Sequence, residues 1–333
     1  MRYRLFGQTG LRVSELLLGT MVLDDARECR RIVDAYADAG GNVLDTASAY
    51  GDGETMLGSI IDRRDRFVVG TKYTLSRDAR DPNAAGNHRK NLVLSLEQSL
   101  RRLGTDYVDI YWVHIWDRHT PAEETMRALD DAVRAGKVLY VGISDAPAWI
   151  VARANTLAQW RDWTPFAGLQ VPYNLLKRDI ERELLPMAEA FGMSVAAWAP
   201  LAAGVLSGAA DAPAGSRRST RVDPEALTPR DRAAAHAVRT VADELGVRPA
   251  QVAIAWTRSR SAAVLPIIGV SSVAQLTENL GVVDLVLPDD AIRRLEAAVE
   301  FQLGFPSDFL AEWEPDPFVF GDVATTVDVR GPG

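Results

Sequence analysis

Phe67-Val68-Val69-Gly70-Thr71-Lys72 is a short apolar run that ends on a cation. Downstream, Leu92, Leu96, Leu100 and Leu103 recur at steps of three and four with Arg and Glu between them, the pattern of an amphipathic helix. A second apolar run follows, Val108-Asp109-Ile110-Tyr111-Trp112-Val113-His114, and it too ends on a polar residue. Apolar runs without strict alternation are the mark of parallel strands buried on both faces. The stretch therefore reads as strand, helix, strand.

Working outward, the same unit repeats. Candidate strands lie at residues 16–19, 42–46, 67–71, 108–114, 138–144, 168–172, 194–200 and 264–270. Helix signals fall between them. Thr120-Pro121-Ala122-Glu123 offers an N-cap Thr, a first-turn Pro and a reciprocal Glu, with Gly136 as the stop. Thr228-Pro229-Arg230-Asp231 repeats the opening with Gly246 as its stop, and Ser272-Val273-Ala274-Gln275 is a further capping-box match. Strand–helix units with right-handed crossovers close into an α/β fold of the (β/α)8 TIM-barrel type. A doubly wound open sheet is the competitor. It is disfavoured because no Gly-x-Gly-x-x-Gly follows the first strand, and because polar residues end most strands instead of one or two. Gly7-Gln8-Thr9-Gly10 between short alternating runs predicts an N-terminal β-hairpin ahead of the barrel. One domain over 1–333 is expected, with a long loop after strand seven at 201–229 and a C-terminal extension at 301–333 that lacks helical period.

The chain has 333 residues, 47% of them hydrophobic, enough to bury one large core. Its formal net charge of −8, from 37 basic and 45 acidic side chains, weighs against nucleic acid as a partner. No apolar stretch approaches the roughly 18–20 residues of a membrane helix, and the N-terminus lacks a signal-peptide pattern, so a cytoplasmic protein without a membrane partner is expected. The single cysteine, Cys29, permits no intramolecular disulfide and reads as an incidental thiol. Four His and one Cys give no support to a metal cluster, and none is expected. Oligomeric state stays open, a homo-oligomer included.

In such a barrel the active site lies where strands end at their C-terminal face. Asp45, Lys72 and His114 close three successive strands, and Tyr50 follows Asp45 by five residues. Taken singly, each has an ordinary explanation: a loop cap, a solvated ammonium, a core imidazole, a packing phenol. At adjacent strand ends those explanations must all hold at once. Together the four suit one chemistry. A phenol with an ordinary pKa near ~10 keeps its proton at neutral pH and can protonate an oxygen gaining charge. A Lys ammonium beside it is expected to lower that pKa, an Asp holds the Lys charged, and a His donates a second hydrogen bond. Carbonyl reduction also needs a hydride, which no side chain supplies, so a cofactor is required.

At this point the sequence resembles the aldo-keto reductase superfamily over nearly its whole length. The motifs, in order, are Asn42-Val43-Leu44-Asp45-Thr46-Ala47 through Tyr50-Gly51; Gly70-Thr71-Lys72; and Ser99-Leu100-Arg101-Arg102-Leu103-Gly104-Thr105-Asp106-Tyr107-Val108-Asp109 leading to His114. Val141-Gly142-Ile143-Ser144, Gln170 with Tyr173-Asn174, Trp198-Ala199-Pro200-Leu201, and Gly269 through Glu278-Asn279 follow. It looks closer to the bacterial branch that also includes potassium-channel beta subunits than to the aldose reductases. The resemblance implies a catalytic tetrad of Asp45, Tyr50, Lys72 and His114, with NADPH or NADH as hydride donor and a small aldehyde, ketone or keto-sugar as substrate.

It also implies cofactor contacts from Gly19, Thr20, Met21 and Asp45, and from Ser144 and Gln170 at the carboxamide. Asp145 stands where Asn is common. Trp198 occupies a position usually held by Tyr whose ring stacks on the nicotinamide. Ala199, Pro200, Leu201, Gly204 and Leu206 match the loop along the pyrophosphate, Gly269, Ser271 and Ser272 open the helix after strand eight as an anion site, and Gln275, Glu278 and Asn279 match the adenosine end. Many members carry a basic residue just after the glycine equivalent to Gly269, where it pairs with the 2′-phosphate of NADP. None stands in Gly269–Gln275 here, which leaves Arg217, Arg218 or Arg221 as substitutes and NADPH against NADH unresolved. Met21, Tyr50, Trp112, His114 and Trp116 are the expected substrate-pocket residues, with Ile115 beside them. The competing readings are a cofactor-binding regulator with little turnover, and a barrel lyase or isomerase using Lys72 as a Schiff base.

Overall fold

In the computed structural model, residues 1–208, 223–314, 316–323 and 326 are described. Arg217, Arg218 and Arg221 lie outside them. The N-terminal hairpin pairs β1 (Tyr3–Leu5) with β2 (Arg12–Ser14), antiparallel. The barrel strands follow: β3 (Leu17–Gly19), β4 (Val43–Asp45), β5 (Val68–Tyr73), β6 (Val108–Val113), β7 (Val138–Ser144), β8 (Phe166–Pro172), β9 (Ser194–Trp198) and β10 (Val264–Gly269). Each pairs in parallel with its neighbour, and β10 closes on β3 through Ile267↔Leu17, Ile268↔Leu18 and Gly269↔Gly19. The expected eight-stranded barrel is present, with boundaries shifted by a few residues.

Helices coat the barrel: α1 (Ala26–Asp38), α2 (Gly53–Ile60), α3 (Arg89–Leu103), α4 (Ala122–Arg134), α5 (Ala148–Arg161), α6 (Leu184–Ala190), α7 (Pro229–Leu245), α8 (Pro249–Ser259), α9 (Val273–Leu280) and α10 (Asp289–Ala297). The leucine ladder of α3 is buried as its spacing demands. Thr228 and Asp231 form the expected reciprocal cap on α7, and Gly246 ends that helix in the left-handed region. At α4 the expectation fails. Thr120 donates to Asp117 at 2.6 Å, and Pro121 stands at the cap with no side-chain bond.

The hairpin sits at the N-terminal end of the barrel and sends Phe6 inside. There Phe6 meets Trp112 edge-on, with centroids 6.1 Å apart. Two glycines make room. A Cβ at Gly142 would lie 2.3 Å from the Trp112 ring, and one at Gly168 would lie 2.4 Å from Phe6. Trp112 is only 1% exposed, so it floors the site from below and is not part of its wall, contrary to the sequence expectation. The barrel interior is side-chain filled, as shape demands of eight strands.

The C-terminal extension also differs from its reading. It contains α11 (Ser307–Trp313) and α12 (Pro317–Phe320). Leu303, Phe305 and Pro306 line a cleft with Pro147, Ala148 and Leu184, residues that follow β7 and β8, so the extension lies on the mouth side. Among the described residues, no helix is long and apolar enough to cross a membrane.

Candidate active site

Lys72 is the centre of the constellation. Its side chain projects inward near the end of β5 and is 1% exposed. The ammonium donates to Asp45 Oδ2 at 2.6 Å, to the Thr46 carbonyl at 2.8 Å and to the Tyr50 hydroxyl at 3.4 Å. A buried ion pair holds only when both charges are fully hydrogen-bonded. Here the other Asp45 oxygen accepts from Gln170 Nε2 at 3.0 Å. The ammonium thus has three acceptors and the carboxylate two donors. His114 follows β6 directly, and its ring meets that of Tyr50 edge-on at 5.9 Å between centroids. The four residues named from the strand ends come together at one mouth.

Their protonation follows from burial and neighbours. Burial pushes the Tyr50 phenol above its ordinary value, and Lys72 only partly offsets this, so the net lowering expected from sequence does not occur. Tyr50 is a neutral phenol. Because the ammonium donates into its oxygen, the phenol hydrogen remains to be given elsewhere. Burial first and Lys72 second hold His114 down to about 4, so the imidazole is neutral. Its Nδ1 is buried and has no hydrogen-bond partner among the described residues.

What holds the Tyr50 loop went unseen in the sequence. Glu54 on α2 is fully buried and accepts from the Thr71 hydroxyl at 2.6 Å, next to Lys72. Arg102 reaches Glu54 at 3.4 Å and the Ser48 carbonyl at 3.3 Å, and Ser48 N–H donates to the Lys72 carbonyl at 3.1 Å. The segment between β4 and α2 is therefore tied to β5 and α3. A signal existed: Glu54 shares a helical face with the apolar Leu57.

The other named residues fall along the rim in two groups. Ser144 and Gln170 are register partners on β7 and β8 and are buried. Asp145 follows them at φ 47, and its Oδ1 accepts from Trp198 Nε1 at 3.3 Å. Burial raises the Asp145 carboxyl, opposed by the hydrogen bonds from Trp198 and Ser144. Thr20 is buried against the Asp45 carbonyl, with its hydroxyl at 3.1 Å, whereas Met21 is 50% exposed. Ala199 and Leu201 are half-buried and Pro200 is buried after β9. Gly204 adopts φ 107, a conformation glycine tolerates. Leu206 is fully buried, so its side chain belongs to the core and only its backbone could meet a ligand. Trp116 meets Trp149 edge-on at 5.9 Å beyond His114.

The second group is the start of α9. It is not the open anion site expected. Half of the expected capping box forms: Ser272 Oγ accepts from Gln275 N at 3.3 Å, but Gln275 Oε1 accepts from Ser271 N at 2.9 Å and from the Ser271 hydroxyl at 3.2 Å instead of from Ser272 N. Val273 N donates to Glu28 of α1 at 3.1 Å, and Glu28 also pairs with Arg31 at 2.7 Å. Acceptors of the protein's own already occupy these donors. Gly269, Ser271 and Glu278 are exposed, Ser272 and Gln275 half-buried, and Asn279 buried.

A nicotinamide dinucleotide suits this rim: buried amide and hydroxyl groups at Gln170 and Ser144, an aromatic plane at Trp198, an unpaired imidazole nitrogen at His114, and a glycine with open space at Gly269. Comparison with known proteins agrees. Residues 15–300 match the profile of the Aldo/keto reductase family. The chain is 36% identical to norsolorinic acid reductase of Aspergillus flavus, over 92% of this chain and 83% of that protein. It is 38% identical to norsolorinic acid reductase stcV of Emericella nidulans, over 91% and 82%. It is 35% identical to the aryl-alcohol dehydrogenase [NADP(+)] of Phanerodontia chrysosporium, over 89% and 85%. The chain belongs to the aldo/keto reductase family and is an NAD(P)H-dependent oxidoreductase.

Proposed function

We propose that this chain interconverts an aryl carbonyl compound and its alcohol, with Tyr50 as the proton donor in the reductive direction. The observation that carries the reading is the Lys72 ammonium, which bonds Asp45 and the Tyr50 oxygen from a fully buried position. The cofactor supplies hydride when bound. The protein's own residues do the rest. Tyr50 gives its hydrogen to the carbonyl oxygen as charge develops there, and Lys72 stabilises the phenolate left behind. His114, neutral, offers a second hydrogen bond to that oxygen. Asp45, itself held by Gln170, keeps the ammonium in place.

Aromatic surface favours an aryl substrate. Trp116 and Trp149 meet edge to face beside His114, and Phe305, Phe309 and Trp313 form a chain of rings on the mouth side. The names of the fungal relatives point the same way. The motif reading sets the chain near the potassium-channel beta subunits; the relatives' enzyme names support turnover over a regulatory role. For the cofactor, Glu28 at the start of α9 weighs against a 2′-phosphate, so NADH and NADPH are both accepted with little preference. A cytoplasmic location fits such a cofactor. The test is a steady-state assay with 4-nitrobenzaldehyde and each cofactor. Turnover with both supports the reading; binding without turnover on any aldehyde or ketone supports the regulator.

A further inference from the structure

We propose that Asp145 makes the reacting end of the groove favour the oxidised, positively charged nicotinamide over the reduced, neutral one. The inference rests on reading this rim as a nicotinamide site, and it follows from a sum of charges. Lys72 and Asp45, 2.6 Å apart and buried, cancel one another. Tyr50 keeps its proton and His114 is neutral. Asp145 remains. It is half-buried, forms no ion pair among the described residues, and takes its hydrogen bonds from Trp198 and Ser144, both neutral donors. Lys72 and Lys177 act on it only through longer-range attraction.

Among the described residues, the Asp145 carboxylate is thus the charge at the reacting end that has no ion-pair partner. That charge is bonded to the indole of Trp198, the aromatic plane which the functional reading gives to the nicotinamide. A ring laid on that plane lies beside the carboxylate. The oxidised ring gains Coulomb energy there, in a site partly screened from water, and the reduced ring does not. By linkage the same charge lowers the reduction potential of the bound cofactor and draws the bound equilibrium toward alcohol oxidation.

Asp145→Asn tests this, because Asn keeps an oxygen acceptor for the Trp198 N–H and removes only the charge. Equilibrium dialysis of the whole chain would give Kd for NAD⁺, NADH, NADP⁺ and NADPH. The expected result is a rise of about tenfold in the ratio of oxidised to reduced Kd, mostly from weaker binding of the oxidised forms. Trp198→Phe keeps the carboxylate and should shift both forms together. Should Asp145→Asn not fold, Asp145→Ser makes the same change of charge. An unchanged ratio in a folded neutral variant would overturn the proposal and leave Asp145 as a support for Trp198. Failure of the unaltered chain to bind any of the four would instead remove the nicotinamide reading itself.

Discussion

The two ends of the rim are built on opposite plans. At β4 to β6 the polar groups are buried and cross-bonded: Lys72 to Asp45, Thr46 and Tyr50, Asp45 to Gln170, Glu54 to Thr71 and Arg102. At β10 and α9 the groups are more exposed, and their donors rest on Gln275 and Glu28, side chains that can swing away. The difference teaches where rigidity is needed. A proton donor must be held within a fraction of an ångström of its target, and buried networks give that. An anchoring group for a remote phosphate needs only affinity, and surface side chains can tune it.

If the buried end is as tightly coupled as its bonds imply, its changes should be large. Lys72→Met leaves the Asp45 carboxylate without its cation. It should abolish measurable turnover and cost about 3–5 kcal/mol in urea unfolding, the usual penalty for an orphaned buried charge. A loss under 1 kcal/mol would show the pair to be loosely held. Glu54→Ala should cost less, about 1–3 kcal/mol, because the Thr71 hydroxyl and Arg102 lose their acceptor. It should also lower kcat more than it changes KM, since the Tyr50 segment loosens. Equal effects on both would place Glu54 outside the catalytic support.

The pH response follows from His114. Its folded value of about 4 lies below the ordinary 6.5 of an unfolded chain. The fold therefore favours the neutral imidazole, and His114's contribution is fully present above pH ~6.5. It is lost as pH falls from there toward 4, where the unfolded chain takes up a proton that the folded one resists. His114→Gln should flatten that part of the stability curve. The smallest effect belongs to the open end: Glu28→Gln should tighten NADPH binding a few-fold and leave NADH nearly unchanged, as read by tryptophan fluorescence. No change in either would mean that Glu28 simply caps α9.

The sequence carried the buried end well and the open end poorly, for a physical reason. Asp45, Lys72 and His114 stand at the ends of apolar runs, so their positions follow from a pattern of period and length. The barrel is legible for the same reason. Trp112 was misplaced because strand alternation gives only inside or outside, not depth; whether an inward ring floors a pocket or walls it depends on Gly142, Gly168 and Phe6 from distant elements. Glu28 and Arg102 were missed because their partners lie 245 and 48 residues away, and no local spacing announces such a contact. The α11 helix was missed because seven residues are too few to show a period.

The central claim is that the Tyr50 hydroxyl supplies the proton. Single-turnover reduction of 4-nitrobenzaldehyde by Tyr50→Phe, with cofactor saturating and its Kd measured on the same sample, tests it directly. The expected result is a loss of about 10²–10⁴ in rate, with cofactor Kd unchanged within about twofold. A variant that reduces the aldehyde at more than a tenth of the normal rate would contradict it.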